Sequence, residues 1–154
     1  MGNPIAKVSQ LIRCPVADAF DAFVDPARIT QFWLAATSAP LVKGAEVTWQ
    51  FMVPGATERT RVTELKPPTQ IAFDWSDGVS VRIDFDAREA NETRIRVEVT
   101  GFAGDSAVDQ ALNATEGFAI VLCDLKTLLE SGRSANLVRD KARLIADSSD
   151  AQNN

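Results

Sequence analysis

Between residues 46 and 100 apolar and polar side chains alternate with a period of two, and from residue 107 the period changes to that of a helix. Glu46–Val53 sets Val47, Trp49, Phe51 and Val53 against Glu46, Thr48 and Gln50. Gln70–Trp75 puts Ile71, Phe73 and Trp75 on one face, Val79–Ala87 does so with Val79, Val81, Ile83 and Phe85, and Thr93–Thr100 with Thr93, Ile95, Val97 and Val99. Such alternation predicts half-buried strands. Pro54-Gly55, Pro67-Pro68, Asp77-Gly78 and Asn91-Glu92 supply the turns, Asp77-Gly78 being a strong hairpin dipeptide. Thr57–Lys66 is a more polar strand in which Val62 and Leu65 fall on opposite faces, which predicts a β-bulge. The set describes an antiparallel meander with one face solvated and one covered.

Upstream, Ile5–Arg13 predicts a first strand. Pro15 opens a helix whose stripe is Val16, Ala19, Phe20, Phe23 and Val24. Asp25-Pro26 breaks it, because a residue before proline is pushed out of the helical region. A second short helix runs from Pro26 to Phe32 or Trp33, and Leu34–Gly44, with Pro40 and Gly44, is expected to be loop. Downstream, AVDQALNATEGFAIVLCDLKTLL at 107–129 predicts one long helix with the stripe Val108, Ala111, Leu112, Thr115, Phe118, Ala119, Leu122, Leu125 and Leu129, closed by Glu130, Ser131 and Gly132. At 1.5 Å per residue it spans roughly 35 Å, close to the full diameter of a domain of this size. A sheet of about six strands has to curl around such a helix. The fold class is therefore α+β, with one domain over residues 1–132. A tail helix at 133–147, with Leu137, Val138, Lys141, Leu144 and Ile145 on one side, must dock somewhere, and 148–154 is expected to be disordered.

Composition narrows the function more than the fold. The net charge of -5 argues against a nucleic-acid surface, and the basic residues Arg139, Lys141 and Arg143 are interrupted by Asp140. No apolar run approaches the roughly 20 residues that cross a bilayer, and the N-terminal segment lacks a signal-peptide stretch. Cys14 and Cys123 are far apart and form no CxxC, so small buried hydrophobes in a reducing cytosol are expected. Neither His nor Tyr occurs. The usual acid–base group near pH 7 is thus missing, His-containing metal sites are ruled out, and no cofactor or metal is expected. Asp84, Asp86 and Glu89 form the nearest carboxylate cluster, yet Asp84 and Asp86 alternate with apolar positions and should face solvent. No phosphate loop or nucleophile elbow occurs.

The strings PVADAFDAFVDPARITQFW at 15–33, VTELKPPTQIAFDW at 62–75, TRIRVEVTGF at 93–102 and EGFAIVLCDLKTLLESG at 116–132 occur in an order and spacing that resembles the START-like helix-grip (SRPBCC) superfamily, within it the bacterial relatives of the activator of heat-shock-protein ATPase. The resemblance implies the helix-grip fold of the birch-pollen-allergen type, with a cavity between sheet and C-terminal helix. It places Phe32-Trp33 where the family carries two aromatics after the Asp-Pro helix. Where the family commonly has Gly-Trp, this chain has Gly117-Phe118, and Gly117 either admits a close neighbour or is simply a tolerated weak helix former.

The expected pocket lining is Trp33, Trp49, Phe51, Phe73, Trp75, Val81, Ile83, Val97, Thr115, Phe118, Ala119 and Leu122, an aromatic concave sheet face opposite small residues of the helix. Three functions follow. The first is a binding module for a hydrophobic small molecule. The second is an enzyme similar to polyketide cyclases and dehydratases, with Glu116 working beside Arg59 or Arg61. The third, suggested by the family resemblance, is a chaperone co-factor or stress-related interaction domain using an exposed Phe32-Trp33 pair and the tail helix. The tail could equally serve a homodimer. No nucleic-acid or membrane partner is expected, and the location is expected to be cytoplasmic.

Overall fold

A computed structural model describes the backbone of residues 2–152 and the side chains of residues 2–148. Its elements run β1 (Ala6–Ile12), α1 (Val16–Val24), α2 (Pro26–Phe32), β2 (Leu34–Thr37), β3 (Glu46–Phe51), β4 (Thr57–Lys66), β5 (Gln70–Trp75), β6 (Ser80–Glu89), β7 (Glu92–Thr100), α3 (Ala107–Ser131) and α4 (Leu137–Gln152). The strands form one antiparallel sheet in the order β1-β7-β6-β5-β4-β3-β2.

The period-two alternation produces what it predicts. On β5, β6 and β7 the apolar positions Ile71, Phe73, Val81, Ile83, Phe85, Ile95, Val97 and Val99 are all buried. The intervening positions face solvent, where Arg82 meets Asp84 and Glu98, and Arg94 and Arg96 meet Asp86. Those carboxylates therefore sit in a solvated ladder of ion pairs, and no cluster able to hold a metal ion exists among the described residues. The register of β4 against β5 shifts between Val62 and Glu64, the bulge that the opposed parities of Val62 and Leu65 require.

Helix boundaries follow local chemistry. Asp25 accepts from the Ala27 amide at 2.9 Å and caps α2, with Pro26 in its first turn. Gly132 ends α3 in the left-handed conformation at φ 84°, its amide bonded to the Leu128 carbonyl. The core lies between sheet and helices. Phe20 and Phe23 of α1 meet Phe85 edge-on at 5.3 and 5.8 Å, and Leu122 and Leu125 of α3 are fully buried.

Three expectations need correction. The segment after α2 is not all loop: Leu34–Thr37 is a seventh strand, paired to β3 across a register shift. Four residues are too few for a period to show. The α3 stripe is rotated from the expected one. Val108 and Leu112 are exposed at 61% and 63%, and Ala119 is exposed, while Val121 is buried. The reason is that α3 has two covered faces, one on the sheet and one under α4. Finally, α4 continues to Gln152, well into the stretch at 148–154 expected to be disordered; Asn153 and Asn154 lie outside the described residues.

Candidate functional site

At one end of the sheet, aromatic side chains from four elements come together. Trp33, at the C-terminal cap of α2, sits 5.0 Å from Trp49 and 5.5 Å from Phe118 of α3, ring centroid to centroid. Trp75, at the end of β5, stacks on Phe118 at 6.2 Å with an interplanar angle of 15° and meets Phe51 edge-on at 5.9 Å. Edge-to-face and offset-stacked pairs of this kind hold rings rigidly. The Trp75 indole N–H donates to the Thr60 hydroxyl at 3.1 Å, which satisfies a fully buried threonine of β4.

The rings of Trp33, Phe51, Trp75 and Phe118 line an apolar cleft of about 330 Å³, open to solvent. Met52 and Val53 beyond β3, with Ala56, extend the wall. Ala114, Gly117, Phe118, Ile120 and Val121 of α3 form the floor, and Val138, Lys141, Ala142 and Ile145 of α4 close the far side. Apart from Lys141 the lining residues are all apolar.

Of the residues expected at a pocket, Trp33, Phe51, Trp75 and Phe118 line this cleft. Trp49, Phe73, Val81, Ile83, Val97 and Leu122 lie deeper, each at most 2% exposed, and form the packed core behind it. Thr115 is half-buried, its hydroxyl donating to the Ala111 carbonyl at 2.7 Å within the helix. Ala119 faces solvent.

The expected acid–base set does not assemble. Arg59 lies on the outer face of the sheet, 77% exposed, with Glu46 at 3.8 Å, and Arg61 is likewise exposed. Glu116 points away from both, to Lys141 of α4, whose Nζ lies 2.7 Å from its Oε1. The parity of β4 explains this: Thr60 and Val62 take the inward positions, so Arg59 and Arg61 must point out. Nor is the Phe32-Trp33 pair an exposed contact surface, since Phe32 is 0% and Trp33 5% exposed, both absorbed into the aromatic cluster. Gly117 does not admit a close neighbour either. A Cβ placed there meets no heavy atom within 4 Å, because the space beside it is the cleft itself.

The pattern of residues did not disclose the α4 wall or its anchor. Asp124 of α3 is 1% exposed and accepts from the Ser134 hydroxyl at 2.6 Å and the Ala135 amide at 2.8 Å, tying down the turn before α4. A carboxylate set between Leu122 and Leu125 on a buried face is the signal that could have found it, since an acid there needs a partner. Cys14 is buried, and burial pushes its thiol above the ordinary range, while Cys123 is exposed.

A curved antiparallel sheet gripping a long helix, with an apolar cleft at its mouth, defines a helix-grip protein of the START-like class. More particularly, the chain belongs to the family described as Activator of Hsp90 ATPase homolog 1-like protein, whose profile matches residues 13–130. The match ends before α4. Among solved structures, the protein SSP2350 from Staphylococcus saprophyticus is similar at 27% identity, over 85% of this chain and 95% of that one, with a TM-score of 0.76. The Aha1 dimer from Colwellia psychrerythraea shares the fold at 18% identity, over 85% and 99%, with a TM-score of 0.76. CalU16 from Micromonospora echinospora does so at 15% identity, over 92% of both chains, with a TM-score of 0.65. No curated protein matches the sequence. No helix among the described residues is long and apolar enough to cross a membrane.

Proposed function

We propose that the protein binds an apolar small molecule in the cleft bounded by Trp33, Phe51, Trp75, Phe118, Gly117 and α4. The observation that carries this reading is the lining itself. An open cleft of about 330 Å³ whose walls are aromatic and aliphatic offers apolar surface that water covers only at a cost. Its size falls at the lower end of the roughly 300–1,000 Å³ of small-molecule sites. Binding without turnover is favoured because Arg59 and Arg61 lie on the outer face of the sheet, away from Glu116, so the set expected to do acid–base work does not meet at the cleft.

N-phenyl-1-naphthylamine, a neutral apolar fluorophore, tests the reading. Saturable binding with energy transfer from tryptophan is expected, because Trp33 and Trp75 line the cleft. Gly117→Leu should abolish that binding while leaving the far-UV circular dichroism unchanged, since the new side chain enters empty space. Absence of saturable binding, or undiminished binding by the folded variant, would overturn it.

A further inference from the structure

We propose that the cleft selects an apolar ligand bearing one anionic group, and that Lys141 of α4 is the residue that reads it; this rests on the ligand-binding function proposed above. Lys141 is the one charged side chain in the lining among the described residues. Its counter-ion Glu116, 2.7 Å away, is not part of the lining. A lysine in an apolar lining, 37% exposed, can lay its stem along that surface and keep its ammonium in water. Both ends of the pair are wetted, with Lys141 37% and Glu116 59% exposed, so their mutual attraction is weakly held.

A carboxylate or sulfonate on an apolar body seated in the cleft would approach the same ammonium from the inner side. There the rings of Trp33, Phe51, Trp75 and Phe118 displace water, and a charge-assisted bond strengthens as the local dielectric falls. The ligand thus takes over from Glu116 with a better-desolvated partner. A neutral ligand leaves the pair undisturbed and gains nothing from it.

The test compares 8-anilinonaphthalene-1-sulfonate with N-phenyl-1-naphthylamine, which share the aromatic body and differ by the sulfonate. Lys141→Met keeps the apolar stem and removes the charge. It should weaken the sulfonate probe about tenfold while shifting the neutral probe far less, and Glu116→Gln should tighten the sulfonate probe alone. Equal shifts of both probes in Lys141→Met, or no shift of either, overturn the inference. Wild-type protein that binds the neutral probe and rejects the sulfonate also overturns it, while the ligand-binding function stands. If neither probe binds, both fall.

Discussion

Two glycines show how differently one residue type can be constrained. Gly101, just after β7, has φ 94°, and a Cβ there would collide with the Gly78 carbonyl and lie 3.1 Å from the Val79 Cα. The close approach of two backbones at the β5–β6 turn requires its bare Cα. Gly117 sits in a regular helix beside open space. Gly101→Ala should therefore lower stability by about 2 kcal/mol or more, from strain and collision together. Gly117→Ala should raise it by about 0.5–1 kcal/mol by stiffening the unfolded chain. Urea denaturation of the two variants checks both signs. Asp77-Gly78 announces its turn in sequence because a hairpin is local. Gly101 announces nothing, because what constrains it is the β5–β6 turn, distant in the chain at Gly78 and Val79.

At the scale of elements, α3 is the member with two jobs. Ala111, Phe118, Leu122 and Leu125 are buried in the core, while Ala114, Gly117 and Val121 line the cleft with α4. Asp124 holds the second arrangement together through Ser134 and Ala135. Asp124→Ala removes the buried acceptor of the half-buried Ser134 hydroxyl and of the Ala135 amide and should cost about 1–2 kcal/mol. Proteolysis at the 132–136 turn should quicken in the variant, which a time course with mass identification of the cuts would register. The period of the sequence makes the existence and order of most elements legible, since alternation and the 3.6-residue stripe are local facts. It does not fix the phase of α3, because Thr115 and Ala119 are small enough to fit either side of the boundary and Val108 and Leu112 mimic a core face. The docking of α4 is illegible for a related reason. Leu144 looks as buried as Val138, yet it is 62% exposed, and Ala142 takes the contact. So the aromatic wall of the cleft, Trp33, Phe51, Trp75 and Phe118, could be named from strand and helix patterns, and the α4 wall with Lys141 could not.

For the molecule as a whole, the absence of histidine shapes the response to pH. No side chain in the chain has an ordinary pKa between about 5 and 8. The resolved shifts lie further from that window still. Burial raises Cys14; Lys43 lowers Glu64; and Lys126, with the Arg13 amide, lowers Glu130. A carboxylate lowered in the folded state adds stability above its unfolded pKa, and loses it as pH falls through the folded one. Denaturation midpoints should thus be level from about pH 6 to 8 and fall steadily below the ordinary glutamate range. In Glu130→Gln the deficit against wild type should be full near neutrality and shrink in acid.

The same Glu130 has a second consequence. It accepts the Arg13 amide at 2.9 Å, and Lys126 donates to the Leu11 carbonyl at 2.7 Å, both at the C-terminal end of β1. β1 is one margin of an open sheet, and an unoccupied margin is a template on which another extended chain can grow. Here an i,i+4 pair from α3 occupies backbone groups that such a chain would need. The opposite margin, β2, is only four residues long and irregular in register. The open sheet thus offers a growing chain little at two places: borrowed side chains occupy the C-terminal end of one rim, and the other rim is only four residues long.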